Sequence, residues 1–428
     1  MNKTGKITVG ILSGKEIDFY LSGNFMCSNS LIYNGIKKVV FKNNKIFFDN
    51  NLYEKLTFCP QADSNFFELK NVVTGKQFHW QQRENQQFNG TLHFIVETDT
   101  LTAVNEIDIE IYLKSVIASE MSANASLELL KAHAVISRSW LLAKPQMPHK
   151  TSPKEGNIVW YERDAHNNFD VCADDHCQRY QGIGRQTNDR VNQAIEATAG
   201  LVLTCEGEIC DARFSKSCGG VSELFENCWA DVHFPYLEKV IDGEQSADFS
   251  LDLTNNDDAE TFICSAPDCF CNTKDPKIIS QILNNYDRKT TDFFRWQREF
   301  TQQDISEIIR KKSGIDFGEI IDLLPVKRGV SGRIIELQII GTKHVAIVGK
   351  ELEIRKWLSE THLYSSAFVV EKHDCINSVP QRFLLRGAGW GHGVGLCQIG
   401  AAVMGEKGYG FEQILAHYYK NSTLEKIY

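Results

Sequence analysis

The stretch Glu110-Ile-Tyr-Leu-Lys-Ser-Val-Ile-Ala-Ser-Glu-Met121 carries apolar residues at Leu113, Val116 and Ile117, and the next position on that stripe is Glu120. This is the i, i+3, i+4, i+7 spacing of a helix face turned toward a core. Glu120 then sits on the apolar side near the helix C-terminus. Low dielectric and the negative end of the helix dipole both disfavour an anion there. Such a setting suits a general acid that must hold a proton near neutral pH. A slightly rotated helix would let Glu120 reach solvent, and the spacing leaves both placements open. Beyond a turn at 122–125, Ser126 can cap a second helix over 127–143.

Outward from this helical pair the text changes. Residues 1–100 read as strand-rich: segments such as 38–48 and 91–98 are short, β-branched or aromatic, and bounded by Asn and Gly. Pro145, Pro148 and Pro153 break the chain after the second helix into a long loop bearing His and Cys. Strand-like text returns at 200–214 and 332–348. Between them, at about 245–328, lies a polar, charged stretch with its own cysteines. The fold class expected is α+β: a helical pair carrying Glu120 packed on mixed, mainly antiparallel sheet. A small N-terminal β-lobe at 1–100 would precede a main domain at 101–428, interrupted by an insertion at about 245–328.

Composition narrows the function. The chain has 428 residues, 42 % of them hydrophobic and 24 % charged, with a net charge of −9. Those fractions are ordinary for a folded globular protein. An acidic balance without a dense Lys/Arg run disfavours nucleic acid or an anionic membrane as partner. No stretch approaches the roughly 20 apolar residues of a membrane helix. The apolar run at 7–12 is too brief for a secretory signal. Either a signal was removed, or the start is misassigned, or the protein is cytosolic.

Three blocks carry a family resemblance. The first is the 110–121 stretch with Leu127-Glu-Leu-Leu-Lys-Ala-His-Ala-Val-Ile-Ser-Arg-Ser-Trp140. The second is Phe214-Ser-Lys-Ser-Cys-Gly-Gly220, with Trp229 and Pro235-Tyr-Leu237 downstream. The third is Gly389-Trp-Gly-His-Gly-Val-Gly-Leu-Cys-Gln-Ile-Gly-Ala401, followed by Ile414-Leu-Ala-His-Tyr-Tyr419. Together, and in this order, they resemble the SpoIID/LytB family. The resemblance covers roughly 105–245 and 330–428. It departs at Ser122 for the family's Pro, His133 for Gln, Trp140 for Tyr, and Cys397 and Ile399 for Ser and Tyr.

The resemblance implies a peptidoglycan lytic transglycosylase acting on peptide-stripped glycan strands, with Glu120 as the catalytic acid and base. It also admits a reading of another class: a non-catalytic wall-binding protein that enhances a partner amidase. A wall substrate implies the cell envelope or periplasm. Arg138 matches the family's Arg and would bind a sugar hydroxyl or acetamido carbonyl, or tune Glu120; a surface salt bridge is the plainer alternative. Alternating glycines at 387–400 permit unusual backbone angles and close approach of a ligand. No Lys-Ser/Thr follows them, so the block is not a phosphate loop. Trp390 could stack on a sugar and His392 hydrogen-bond to it, or both could be structural parts of a tight turn. Ser215, Gly219, Gly220 and Gln398 are candidate substrate contacts on the same basis.

His166, Cys172, His176 and Cys177 fall within twelve residues. Two imidazoles and two thiolates are what a closed tetrahedral zinc site needs. The spacing is no zinc-finger pattern, and a Cys172–Cys177 disulfide or two free thiols are the alternatives. Some members of the family hold zinc with a similar cluster after these helices. With all four positions filled by protein, such a zinc would be structural. Of thirteen cysteines, Cys205 and Cys210 could pair across a hairpin, and Cys264, Cys269 and Cys271 could join a second metal cluster. Cys397 with His392 is conceivable as a Cys–His pair, but their spacing defines no dyad geometry.

Overall fold

The computed structural model describes residues 5–75, 82–122, 124–143, 156–161, 166–174, 177–185, 189–244, 250–282 and 291–428. The class is α+β, with sheets that are mixed and mainly antiparallel. The chain divides into two units, each discontinuous in sequence. One is Met1–Asn124 with Arg163–Ala199, and the other is Ala125–Glu162 with Gly200–Tyr428.

The first unit is built on an eleven-stranded sheet. Alternation places Phe19, Phe48, Phe58 and Phe94 on one side, where their rings meet at 5.0–6.5 Å and all are buried. Strand Lys6–Gly14 pairs antiparallel with Thr100–Asp108 on one side. On its other side lies the short strand Val171–Cys172, in parallel register with Val9 and Gly10. Asp170 accepts from both the backbone and the hydroxyl of Thr8, which fixes that register. Gly10 is required there: a Cβ would stand 2.5 Å from the Phe169 ring. The sheet runs directly into helix α1, Ile109–Glu120, whose cap is Asp108 accepting from the Glu110 and Ile111 amides.

The second unit opens on helix α2, Leu127–Leu142, capped by Ser126 as its sequence predicts. Thirteen of its sixteen residues are buried. This all-round burial fits its low polarity and excludes a simple surface helix. Strands Asn157–Ile158, Ile320–Arg328, Ile334–Gly341 and Val345–Gly349 form one sheet, and Arg295–Thr301, Phe368–His373 and Arg382–Ala388 another. Residues 295–328 thus supply strands to both sheets. Trp296, Phe300, Phe368, Phe383 and Leu385 share a core with Ile334, Leu337 and Ile339. The blocks at 214–220 and 389–401 meet through the parallel pair Phe214–Ser215 and Leu396–Cys397.

Candidate functional site

Glu120 is the last residue of α1. Tyr112, Leu113, Val116 and Ile117 below it are fully buried, but Glu120 itself is half-buried. The apolar stripe is real, and it ends where the helix does, leaving the carboxyl partly open. Oε1 accepts the Arg179 backbone N–H at 2.9 Å. Among the described residues no Lys or Arg side chain pairs with it.

The segment that supplies that N–H is fastened to α1 along its length. Ser115 donates to the Gly182 carbonyl at 2.8 Å, and Tyr112 to Gln178 Oε1 at 3.3 Å. The Tyr112 and Tyr180 rings meet at 4.9 Å. Burial, first, and then the nearby Cys177 hold the Tyr112 phenol well above its ordinary range, so it stays a donor. Two residues before Arg179 stands Cys177, whose Sγ lies 3.4 Å from His166 Nε2 and accepts the Cys172 N–H at 3.4 Å. The ligand atoms of His166, Cys172 and Cys177 all lie within 4.8 Å of one another, a spacing one metal ion could bridge. His176 lies outside the described residues. A cavity of about 290 Å³ opens beside this cluster, lined by His166, Phe169, Cys172, Tyr180 and sheet residues such as Val72; Glu120 is not among them.

The remaining sequence candidates belong to the second unit. Arg138 is fully buried, and its Nη1 donates to the Leu201 carbonyl at 3.0 Å. Trp390 stacks on Tyr364 at 4.1 Å and tilts against Phe293 at 4.9 Å. Its backbone bridges Ser217 in both directions. The His392 ring lies edge-on to Trp229 at 5.0 Å, and its Nδ1 accepts the Val394 N–H at 3.0 Å. That assigns the proton of the neutral ring to Nε2. Burial, then the charges of Arg213, Arg333 and Arg355, keep His392 far below its ordinary range and so neutral. Gln398 is buried, with Nε2 at 3.3 Å from His133 Nε2, while His133 Nδ1 meets the Ser137 hydroxyl at 3.1 Å. Burial, with Lys216 nearby, pushes His133 down to about 3. Ser215 Oγ and Trp229 Nε1 are buried with no hydrogen-bond partner among the described residues. Gly219 and Gly220 both have positive φ, and a Cβ on Gly219 would meet the Gly389 backbone at 2.8 Å.

Sequence reasoning missed the group around which the glycine block is wound. Arg333, fully buried, donates to the carbonyls of Gly391 and Cys218 and to Ser331 Oγ. A Cβ on Gly393 would lie 2.4 Å from its Cζ, and one on Gly389 2.9 Å from its Nη2. Gly389 and Gly393 make room for this guanidinium, while Gly387 clears the Trp296 ring and Gly395 the Arg213 carbonyl. The Ser331 hydroxyl links Arg333 to Glu223, also fully buried. That carboxylate accepts from the Leu224, Val330 and Ser331 amides, from Asn227 and from the Ser331 hydroxyl. Period-two glycine was the signal of a backbone wound closely around other groups; the identity of one of them, Arg333, lay some sixty residues upstream with no local pattern.

Residues 97–205 match the family model described as Stage II sporulation protein, SpoIID, and residues 223–395 match one described as a domain of unknown function, DUF8618. The amidase enhancer of Bacillus subtilis is 26 % identical over 344 residues, which is 73 % of this chain but 40 % of that protein. Stage II sporulation protein D of Bacillus amyloliquefaciens is 22 % identical over 76 % of each chain. An uncharacterized protein of Brachyspira hyodysenteriae is 26 % identical over 78 % of this chain and 71 % of its own length. The matched model spans the helices and the His/Cys loop described above, and the relatives bear the names of both branches that the three sequence blocks resemble. Residues 97–205 thus carry a SpoIID-family domain, in a chain similar to members of both the SpoIID and the LytB branch.

Proposed function

We propose that this protein works on the bacterial cell wall. Its reaction would cleave the bond between N-acetylmuramic acid and N-acetylglucosamine in peptide-stripped glycan, with Glu120 as the single acid and base. The observation that carries this reading is the state of Glu120. It is a half-buried carboxyl at a helix end, steadied on one oxygen by one backbone N–H, with no ion pair among the described residues. The other oxygen is left to exchange a proton.

The chemistry balances on that one group. The protonated carboxyl gives its proton to the glycosidic oxygen as the C1–O bond breaks. The resulting carboxylate takes the proton from the C6 hydroxyl of the same muramoyl unit. The freed C6 oxygen bonds to C1, closing a 1,6-anhydro ring and restoring the acid. No water enters, so the second carboxylate of ordinary glycosidases is not needed. The nucleophile is already tethered to its target, which lowers the barrier by proximity.

His166, Cys172 and Cys177, with His176, would hold a zinc ion whose contribution is structural: it would fix the loop from which Arg179 reaches Glu120. The proposal carries with it that the protein acts in the cell envelope. A second reading is favoured by one observation, the name of the Bacillus subtilis relative: a wall-binding protein that stimulates an amidase without cutting glycan.

The test is mass spectrometry of denuded glycan strands incubated with wild type or Glu120→Gln. Anhydro-ended fragments from wild type, reduced by about 10²–10⁴-fold in the variant, are expected. No fragments from either protein, with strand co-sedimentation intact, would remove the transglycosylase reading and leave the amidase partner to be sought.

A further inference from the structure

Cys218, Asp242, Cys271 and Cys397 converge in the interior of the second unit. All four are buried, Asp242, Cys271 and Cys397 completely, and their ligand atoms lie within 4.8 Å of one another. They come from four separate stretches: the 214–220 block, the segment around Asp242, the loop that contains Cys269 and Cys271, and the N-cap of helix Gln398–Glu406. Cys264 and Cys269, grouped with Cys271 by sequence proximity, are not part of the set.

We propose that these four side chains form a structural metal site for a thiophilic dication, zinc being the natural occupant. Three sulfurs and one carboxylate oxygen are a tetrahedral donor set. A tetrahedron with zinc–sulfur bonds of about 2.3 Å has edges of about 3.8 Å. Cys218 Sγ and Cys271 Sγ are 3.7 Å apart, too far for a disulfide and close to that edge.

The surroundings are built for anionic sulfur. Cys397 Sγ accepts the Cys218 N–H at 3.3 Å and the Gly400 N–H at 3.5 Å, and Cys218 Sγ accepts the Gly220 N–H at 3.4 Å. Cys397 is moreover the N-cap of its helix, where the dipole favours a thiolate. The carboxylate has the outer partners of a ligand: the Cys271 N–H at 3.0 Å on Oδ2 and the Tyr418 hydroxyl at 2.6 Å on Oδ1. Gly400 keeps the space open, since a Cβ there would stand 2.4 Å from Asp242 Oδ1.

Without a cation the same cluster is awkward. Burial raises all three thiols, Cys271 to about 12, and raises Asp242 to about 7. A dication reverses that preference and releases the thiol protons. With four protein ligands no position is open for water, so the site is a clamp and not a catalyst. It is independent of the Glu120 reading and of the His166 cluster, which lies in the other unit.

The experiment uses the full chain purified under reducing conditions. In Cys172→Ser/Cys177→Ser, which disarms the other cluster, about one equivalent of zinc should remain, with three sulfurs and one oxygen in the X-ray absorption shell. Cobalt(II) should give thiolate charge-transfer absorption in the same protein. Adding Cys397→Ser, the residue the family resemblance places there, should weaken zinc retention against a chelator by more than the roughly 10–100-fold typical of outer partners. Should the double variant fold poorly, Cys397→Ser alone must lower zinc content by one equivalent relative to wild type. Absence of zinc from the double variant, retention unchanged by Cys397→Ser, or a Cys218–Cys271 disulfide found by non-reducing mass spectrometry would each overturn the proposal.

Discussion

Glu120 and Glu223 are both carboxylates set among apolar residues, and they are held in opposite ways. Glu223 is sealed from solvent, collects five donors and lies one hydroxyl away from a buried guanidinium. Glu120 is half-open and takes one backbone N–H. A buried charge whose every lone pair is engaged has nothing left to exchange, and its removal strands its partners. A carboxyl held by a single bond costs little to alter and can still trade a proton. The comparison separates a residue kept for architecture from one that the proposed function would use for chemistry.

The contrast breaks first on stability. Glu223→Gln turns an NH₂ group toward donors and removes the buried charge one hydroxyl away from Arg333, so we expect a loss of about 3–5 kcal/mol in urea unfolding. Glu120→Gln keeps an oxygen for the Arg179 N–H and should stay within about 0.5 kcal/mol of wild type. Equal losses in the two variants would dissolve the distinction. Gly393→Ala sharpens it from the partner's side. The added methyl meets Arg333 at a residue whose φ is +78°, and a cost of about 3 kcal/mol is expected, read as a shifted urea midpoint. If Gly393→Ala is silent, Gly393 is not there for the guanidinium.

A smaller, pH-dependent effect concerns His133, buried and held neutral between Ser137 and Gln398, edge-on to Phe214 and with Lys216 as the nearby charge. Its folded value of about 3 lies below the ordinary 6.5. Between those limits the unfolded chain binds a proton that the folded chain refuses. Stability from this group is therefore intact above pH 6.5 and declines as the pH falls, by about 2 kcal/mol at pH 5. His133→Gln, the family's usual residue there, should flatten that decline in thermal melts at pH 7 and pH 5. An unchanged acid slope would show that His133 is not its source.

What the sequence disclosed followed the range of the forces involved. The two helices and the Ser126 cap were legible because their signals are local: a 3.6-residue stripe and a hydroxyl one residue before it. The convergence of His166, Cys172 and Cys177 was legible because they are neighbours in the chain. The half-exposure of Glu120 was not, since the stripe fixes a face but not where the surrounding surface stops. Arg333 beneath the glycines and Asp242 among the cysteines were hidden for a different reason. Each is an ordinary charged residue until the fold sets it beside a partner more than twenty residues away. Trp390 and His392 were chosen for their chemistry, yet an aromatic ring face and a ring nitrogen already have partners within the unit.

The two-residue strand Val171–Cys172 has a consequence for the order in which this protein can be made. Its partner, Lys6–Gly14, leaves the ribosome first, and the two are held together by Thr8 and Asp170, 162 residues apart. Strands up to Asp108 can pair among themselves well before that, so during synthesis the Lys6–Gly14 edge of the N-terminal sheet waits open. The cysteine-bearing loop arrives late and closes it. A nascent chain stalled before residue 170 would present that edge to its neighbours, which makes this interval the one in which a chaperone has most to protect.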